Sequence, residues 1–148
     1  MTTMYKEIEL YPVKALRESI GDNCKYSEMV SFDHSFLCGL LKMKRPQKIL
    51  EIGVAAGVTS AIVLGCAEEL NLTTSLYSLD ITKEWYRDAG KETGFVAEVW
   101  KEQHNYRSKH ARFFGTVAEH IEYGAVNSGP LEVLLFRQEV VCFPVVAV

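Results

Sequence analysis

Residues 48–80, KILEIGVAAGVTSAIVLGCAEELNLTTSLYSLD, constrain this chain more than any other stretch. A short apolar run, Ile49-Leu50-Glu51-Ile52, meets a turn punctuated by Gly53 and Gly57. An apolar helix-like segment follows from about Val58 to Leu70. A second strand-like run, Leu76-Tyr77-Ser78-Leu79, then ends on Asp80. Strand, glycine turn, helix and strand in this order define a βαβ unit, and hence a parallel sheet with a covering helix.

The same residues indicate what such a unit binds. Gly53 and Gly57 can adopt positive φ and place no Cβ in a ligand's way. A helix starting near Val58 aims its N-terminal amides at the same place. Asp80 lies 23 residues past Gly57, close to the roughly 20-residue distance at which an acid reaches ribose hydroxyls. A nucleoside-bearing cofactor is the expectation. The dinucleotide fingerprint is G-x-G-x-x-G, however, whereas this turn reads Gly53-Val54-Ala55-Ala56-Gly57. Glu51, two residues before the first glycine, would repel a pyrophosphate. A cationic ligand without phosphates would tolerate it.

The stretch Glu51-Ile52-Gly53-Val54-Ala55-Ala56-Gly57 resembles motif I of the class I S-adenosylmethionine-dependent methyltransferases. In that pattern an acid precedes three alternating glycines, and Ala55 stands here for the middle one. The resemblance runs from about Ser27 to Ile121 and is closest to the small-molecule or glycan-directed members. It implies a Rossmann-like α/β fold: a parallel sheet with flanking helices, about four strands, incomplete, after a helical lead-in. It also implies S-adenosylmethionine as cofactor, with Glu51, Gly53, Ala55, Gly57, Asp80, Gly115 and Thr116 around it. Asp80 would grip the ribose, Glu51 would lie near the amino-acid moiety, and Gly115-Thr116 would edge the adenine.

The 148 residues make one domain. Within it, 1–45 is the helical lead-in, 46–122 the cofactor-binding half and 123–148 an atypical C-terminal segment. Sixteen Lys and Arg against nineteen Asp and Glu, without a basic block, argue against nucleic acid as main partner. No apolar run reaches a membrane span, and no signal-peptide core begins the chain. Cys24, Cys38, Cys66 and Cys142 form no C-x-x-C pair, so neither a zinc site nor a disulfide framework is expected. Cys38 and Cys66 fall in apolar helical stretches and read as core residues. A cytoplasmic setting follows.

Around the βαβ unit, Pro12 opens a first helix carrying Val13, Leu16 and Ile20, with Gly21 as its stop. Ser31 reads as the N-cap of a second helix, which ends before Pro46. A loop from Thr82, interrupted at Gly90 and Gly94, leads into a helix near 96–103. A strand at 111–114, a helix at about 116–122, a loop at 123–130 and a fourth strand at 131–136 complete the order. The fourth strand runs into Arg137-Gln138-Glu139, where the resemblance implies an aspartate. The apolar end, 140–148, has no helix to cover it. It suggests a chain cut short or frame-shifted after about Tyr123, poorly soluble or forming homo-oligomers through that segment.

Methyl transfer is chiefly a positioning problem, needing a base only where the acceptor must lose a proton. His104 and His110, ahead of His34, are candidate bases, each read first as an ordinary surface or half-buried histidine; the catalytic residue stays unassigned. Arg87 and Asp88 could touch substrate or belong to a solvated loop. No cluster has metal-ligand spacing, and Arg137-Gln138 stands where metal-binding carboxylates would be needed. The expected activity is methyl transfer to a small-molecule or glycan hydroxyl, if the chain is active. The alternatives are a non-catalytic nucleoside-binding remnant and a NAD-type oxidoreductase domain.

Overall fold

The computed structural model describes residues 8–116 and the backbone of 133–136 and 139–142. Helix α1 (Lys14–Ile20) runs into a 3₁₀ turn (Gly21–Tyr26), and α2 (Ser31–Lys44) leads to β1 (Lys48–Ile52). Then follow α3 (Val58–Glu69), β2 (Ser75–Asp80), the short strands β3 (Glu84–Trp85) and β4 (Asp88–Glu92), α4 (Phe95–Gln103) and β5 (Lys109–Phe114). Strands β6 (Val133–Phe136) and β7 (Glu139–Cys142) close the described order. The helical lead-in, the central βαβ unit and the helix before β5 are where the sequence puts them.

The main sheet has the order β5-β2-β1-β6-β7. Strands β5, β2, β1 and β6 are parallel, and β7 returns antiparallel to β6, with Phe136 opposite Glu139. This is a Rossmann-like α/β arrangement: the chain steps from β1 outward to β2 and β5, then crosses to the other side at β6. Ligands in such sheets gather beyond the carboxyl ends of the strands, where the direction of winding reverses. Here that place is the end of β1, next to Gly53.

Burial explains the helices. Every residue of α3 from Val58 to Ala67 is buried, because α1, α2, α4 and the sheet all pack on it. Its small residues permit this: a Cβ on Gly65 would stand 2.9 Å from Leu16 Cδ2 and 3.4 Å from Trp100 Cζ2. Leu37, Leu41, Ile49, Ile62, Leu64 and Leu76 fill the same core, each stabilising it by about 1.5–3 kcal/mol. Cys38 and Cys66 lie in it as expected.

Three local expectations change. Ser31 is the first residue of α2 and not its N-cap; that position is Val30, whose N–H donates to Asp33 Oδ2 at 2.9 Å. The segment expected as a loop from Thr82 forms a two-stranded antiparallel ribbon, β3–β4, held by its buried Trp85. Strand β5 begins two residues early, at Lys109. The first part of the apolar end, β7, pairs with β6 and stands last in the described sheet. The expected helix at 116–122, the loop at 123–130, residues 131–132 and 137–138 lie outside the described residues, Thr116 excepted.

Candidate functional site

The turn after β1 is a tightly bonded loop. Gly53 (φ 86°) donates its N–H to Leu79 O at 2.9 Å, tying the loop's entry to β2. Asp80 Oδ2 accepts from the N–H of Val54 at 2.8 Å and of Ala55 at 3.2 Å, while Oδ1 accepts from Ile81 N at 2.7 Å. Gly57 (φ 93°) then caps α3, and its carbonyl accepts the Ala61 N–H at 3.1 Å. Ala55 also has positive φ, 52°, at the position where the motif I pattern has glycine. A side chain there is held in a region costing about 1–2 kcal/mol.

The other side of the loop is occupied by the start of α4. Gly94 N–H donates to Ala55 O at 2.8 Å, and Val96 N–H donates to Ala56 O at 2.9 Å. A Cβ on Gly57 would lie 2.8 Å from Gly94 Cα and 2.9 Å from Gly94 O. Gly57 is therefore glycine because α4 packs against it. Its bare Cα thus serves the packing of α4 as well as lining the crevice at the loop.

Glu51 is 2% exposed and lies beneath the loop, not at its surface. Its Oε2 accepts from Ser60 Oγ at 2.5 Å and Ser78 Oγ at 2.7 Å. Its Oε1 is buried without a hydrogen-bond partner among the described residues. Burial, opposed by the two serine bonds and aided by the Asp80 charge, raises its pKa to about 7. Gly115 (φ 131°) ends β5 beside Asp80, donating its N–H to Asp80 O at 2.9 Å, and exposed Thr116 follows. Glu51, Gly53, Ala55, Gly57, Asp80 and Gly115 thus converge on the carboxyl edge of β1, β2 and β5.

A wall from the lead-in faces the loop. Tyr26, Ser27 and Glu28 line a crevice of about 10 Å³ together with residues 54–59. Glu28 accepts a bond from the Tyr86 hydroxyl and has Arg87 Nη2 at 3.5 Å, tying the ribbon's turn to this wall. Arg87 thus serves the wall, and Asp88 Oδ1 accepts from Gly90 N at 2.9 Å within the ribbon. Lys91 Nζ stands 5.1 Å from the Tyr26 ring centre, 4.9 Å from that of Phe95 and 6.0 Å from that of Trp85. No sequence signal beyond an excess of aromatics marked this cluster.

The candidate bases are dispersed. His104 stacks on Trp100 at 4.7 Å, at the end of α4 away from the loop. His110 contacts Ser78 Oγ at 2.9 Å, and burial lowers its pKa to about 4. His34 is fully buried between Arg17 and Thr59. None is an accessible base at the loop. No group of metal-ligating side chains occurs among the described residues. No described helix is long and apolar enough to cross a membrane.

No family model and no curated protein sequence matches the chain. Among solved structures it is similar to an SAH-bound methyltransferase of Podospora anserina, PaMTH1, with 16% identity and a TM-score of 0.46. That likeness covers 73% of this chain and 44% of PaMTH1. It is also similar to MNMC2 from Aquifex aeolicus, with 18% identity and a TM-score of 0.48, covering 85% of this chain and 41% of that one. The chain spans less than half the length of either. Neither likeness is close enough to carry weight by itself, and the fold is defined by the strand order above.

Proposed function

We propose that this chain is the cofactor-binding part of a S-adenosylmethionine-dependent methyltransferase. The observation that carries this reading is the charge around the loop. Two carboxyl groups, Glu51 and Asp80, flank it, Glu28 lines its crevice, and among the described residues no basic side chain lines that crevice. The Asp80 carboxylate at the end of β2 favours a sulfonium or an ammonium over a pyrophosphate. The residues fit such a cofactor chemically: Asp80 can accept ribose hydroxyls at the end of β2, and Glu51 Oε1 is an acceptor without a partner. Gly115 and Thr116 would border the adenine. Bound cofactor would supply the electrophilic methyl group; the protein's part is to orient it and exclude water.

The crevice of about 10 Å³ is far smaller than a nucleoside. Binding therefore requires displacement of the wall at 26–28 or use of the open strand edge beside Asp80. Methyl transfer to a small-molecule or glycan hydroxyl in the cytoplasm is the activity we assign, with the base still to be found. A non-catalytic nucleoside-binding remnant is the second reading, favoured by the absence of an accessible histidine at the loop among the described residues. Calorimetric titration with S-adenosylhomocysteine and, separately, NAD tests the cofactor. Saturable binding of the first alone is expected; binding of NAD alone would transfer the site to the oxidoreductase class.

A further inference from the structure

A cleft lies away from the glycine loop, between α1 and the start of α2. It measures about 500 Å³ and is lined by Lys14, Arg17, Glu18, Gly21, Cys24 and Ser31. That volume falls within the range of roughly 300–1,000 Å³ typical of small-molecule sites. Its charges do not cancel. Lys14 Nζ lies 4.0 Å from Glu18 Oε1, leaving Arg17 as the remaining cation.

Arg17 is held in an unusual way. Its Nη1 meets Nδ1 of His34 at 2.6 Å. A guanidinium can only donate, so Nδ1 is the acceptor and the imidazole hydrogen sits on Nε2. From there it points to Thr59 Oγ1 at 3.2 Å, and the Thr59 hydroxyl donates to Met29 Sδ at 3.5 Å. The chain of donors is consistent in direction from α1 to α3. It fixes the guanidinium without neutralising it, because the imidazole is uncharged. Burial, and then Arg17 itself, lower the His34 pKa to about 4, in agreement with that tautomer. Among the described residues, no carboxylate forms an ion pair with Arg17.

We propose that this cleft binds a small organic anion, a carboxylate or a phosphate monoester, through the Arg17 guanidinium fixed on His34. One N–H of the fork is used by His34, and among the described residues the others have no partner, leaving them for a bidentate contact, the geometry for which arginine suits carboxylate and phosphate. Cleft size sets the class: inorganic phosphate alone would leave most of it unfilled. The proposal does not depend on methyl transfer.

The test is titration of the full chain with phenyl phosphate, benzoate, inorganic phosphate and benzyl alcohol, followed by ligand-observed NMR. Saturable binding of phenyl phosphate or benzoate is expected, with the tighter of the two identifying the anion. Inorganic phosphate should bind more weakly, and benzyl alcohol should not compete. Arg17→Met should weaken the aryl anion by about tenfold or more, the equivalent of one charge-assisted hydrogen bond. Arg17→Lys should retain part of the affinity. No saturation at millimolar anion, equal competition by benzyl alcohol, or unchanged affinity in a natively folded Arg17→Met would each overturn the proposal. Should Arg17→Met not fold, the comparison of charged with neutral probes on the unmodified chain still decides it.

Discussion

The backbones of Gly57 and Gly94 meet so closely that a Cβ on the first would lie 2.8 Å from the Cα of the second. Both have positive φ, 93° and 83°. Gly57→Ala should therefore combine a left-handed backbone penalty with overpacking, a loss of about 2–4 kcal/mol in all. Gly94→Ala should lose less, because its Cβ would meet the flexible Arg112 Cδ at 3.2 Å. Urea denaturation of both variants checks the order. Equal, small losses would mean the two segments do not pack as described.

Ala55 reverses the argument. Held at φ 52°, it carries a side chain where glycine is the relaxed residue. Ala55→Gly relieves about 1–2 kcal/mol of backbone strain and gives back about 0.4–1 kcal/mol through a freer unfolded chain. The expected outcome is no change or a small gain in the denaturation midpoint. A clear loss of stability would show that the Ala55 methyl group contributes packing.

Asp80 holds the loop before it holds any ligand. Asp80→Ala frees the Val54 and Ala55 amides, so a stability loss of about 1–3 kcal/mol should accompany weaker binding. Affinity for S-adenosylhomocysteine should fall by about tenfold or more, the value of one hydrogen bond to a charged acceptor. Calorimetry alongside circular dichroism separates the two effects. Normal affinity in the folded variant would remove Asp80 from the cofactor site.

Three buried groups make stability depend on pH in opposite senses. Glu51, raised from 4.5 to about 7, stabilises the fold below about pH 4.5 and loses that contribution as pH rises through 7. His34 and His110, lowered from 6.5 to about 4, contribute above 6.5 and lose that contribution as pH falls through 4. Between 4.5 and 6.5 the two histidines outweigh the single carboxyl, so stability should rise with pH. Each net proton is worth roughly 1.4 kcal/mol per pH unit. Glu51→Gln removes the opposing contribution, and its rise should be steeper than that of the unsubstituted chain. Parallel profiles from urea titrations across this range would show that Glu51 ionises normally.

Lys91 faces three rings, and Lys91→Met keeps most of the stem while removing the charge. A loss of about 0.5–2 kcal/mol is expected. The Trp fluorescence spectrum should also change, since Trp85 is one of the three rings. An unaltered spectrum and midpoint would leave the cation without an energetic role.

The βαβ unit was legible because its signal is local. Ile49, Leu50 and Ile52 form a continuous apolar strand, Gly53 and Gly57 mark the turn, and Asp80 stands at a fixed distance. The ribbon was not. Its strand β4 reads Asp88-Ala89-Gly90-Lys91-Glu92, residue types depleted in strands, and it is held by Trp85 packing on distant Tyr26 and Phe95. Strand β7 has no local strand signal that tells its partner; only its pairing with β6 gives it a place. Glu51 reads in the sequence as an acid beside the two glycines. Its burial under the loop depends on Ser60 and Ser78, which no periodicity singles out.

The stretch 24–31 borders two spaces at once: Tyr26, Ser27 and Glu28 line the crevice at the glycine loop, and Cys24 and Ser31 line the larger cleft. A single partition with a ligand space on either side imposes thermodynamic reciprocity. If occupancy of one side moves the partition and so changes affinity on the other by some factor, the second ligand must change the first by that same factor. A molecule held at Arg17 and one held at Asp80 would then be coupled without touching, through the position of three residues.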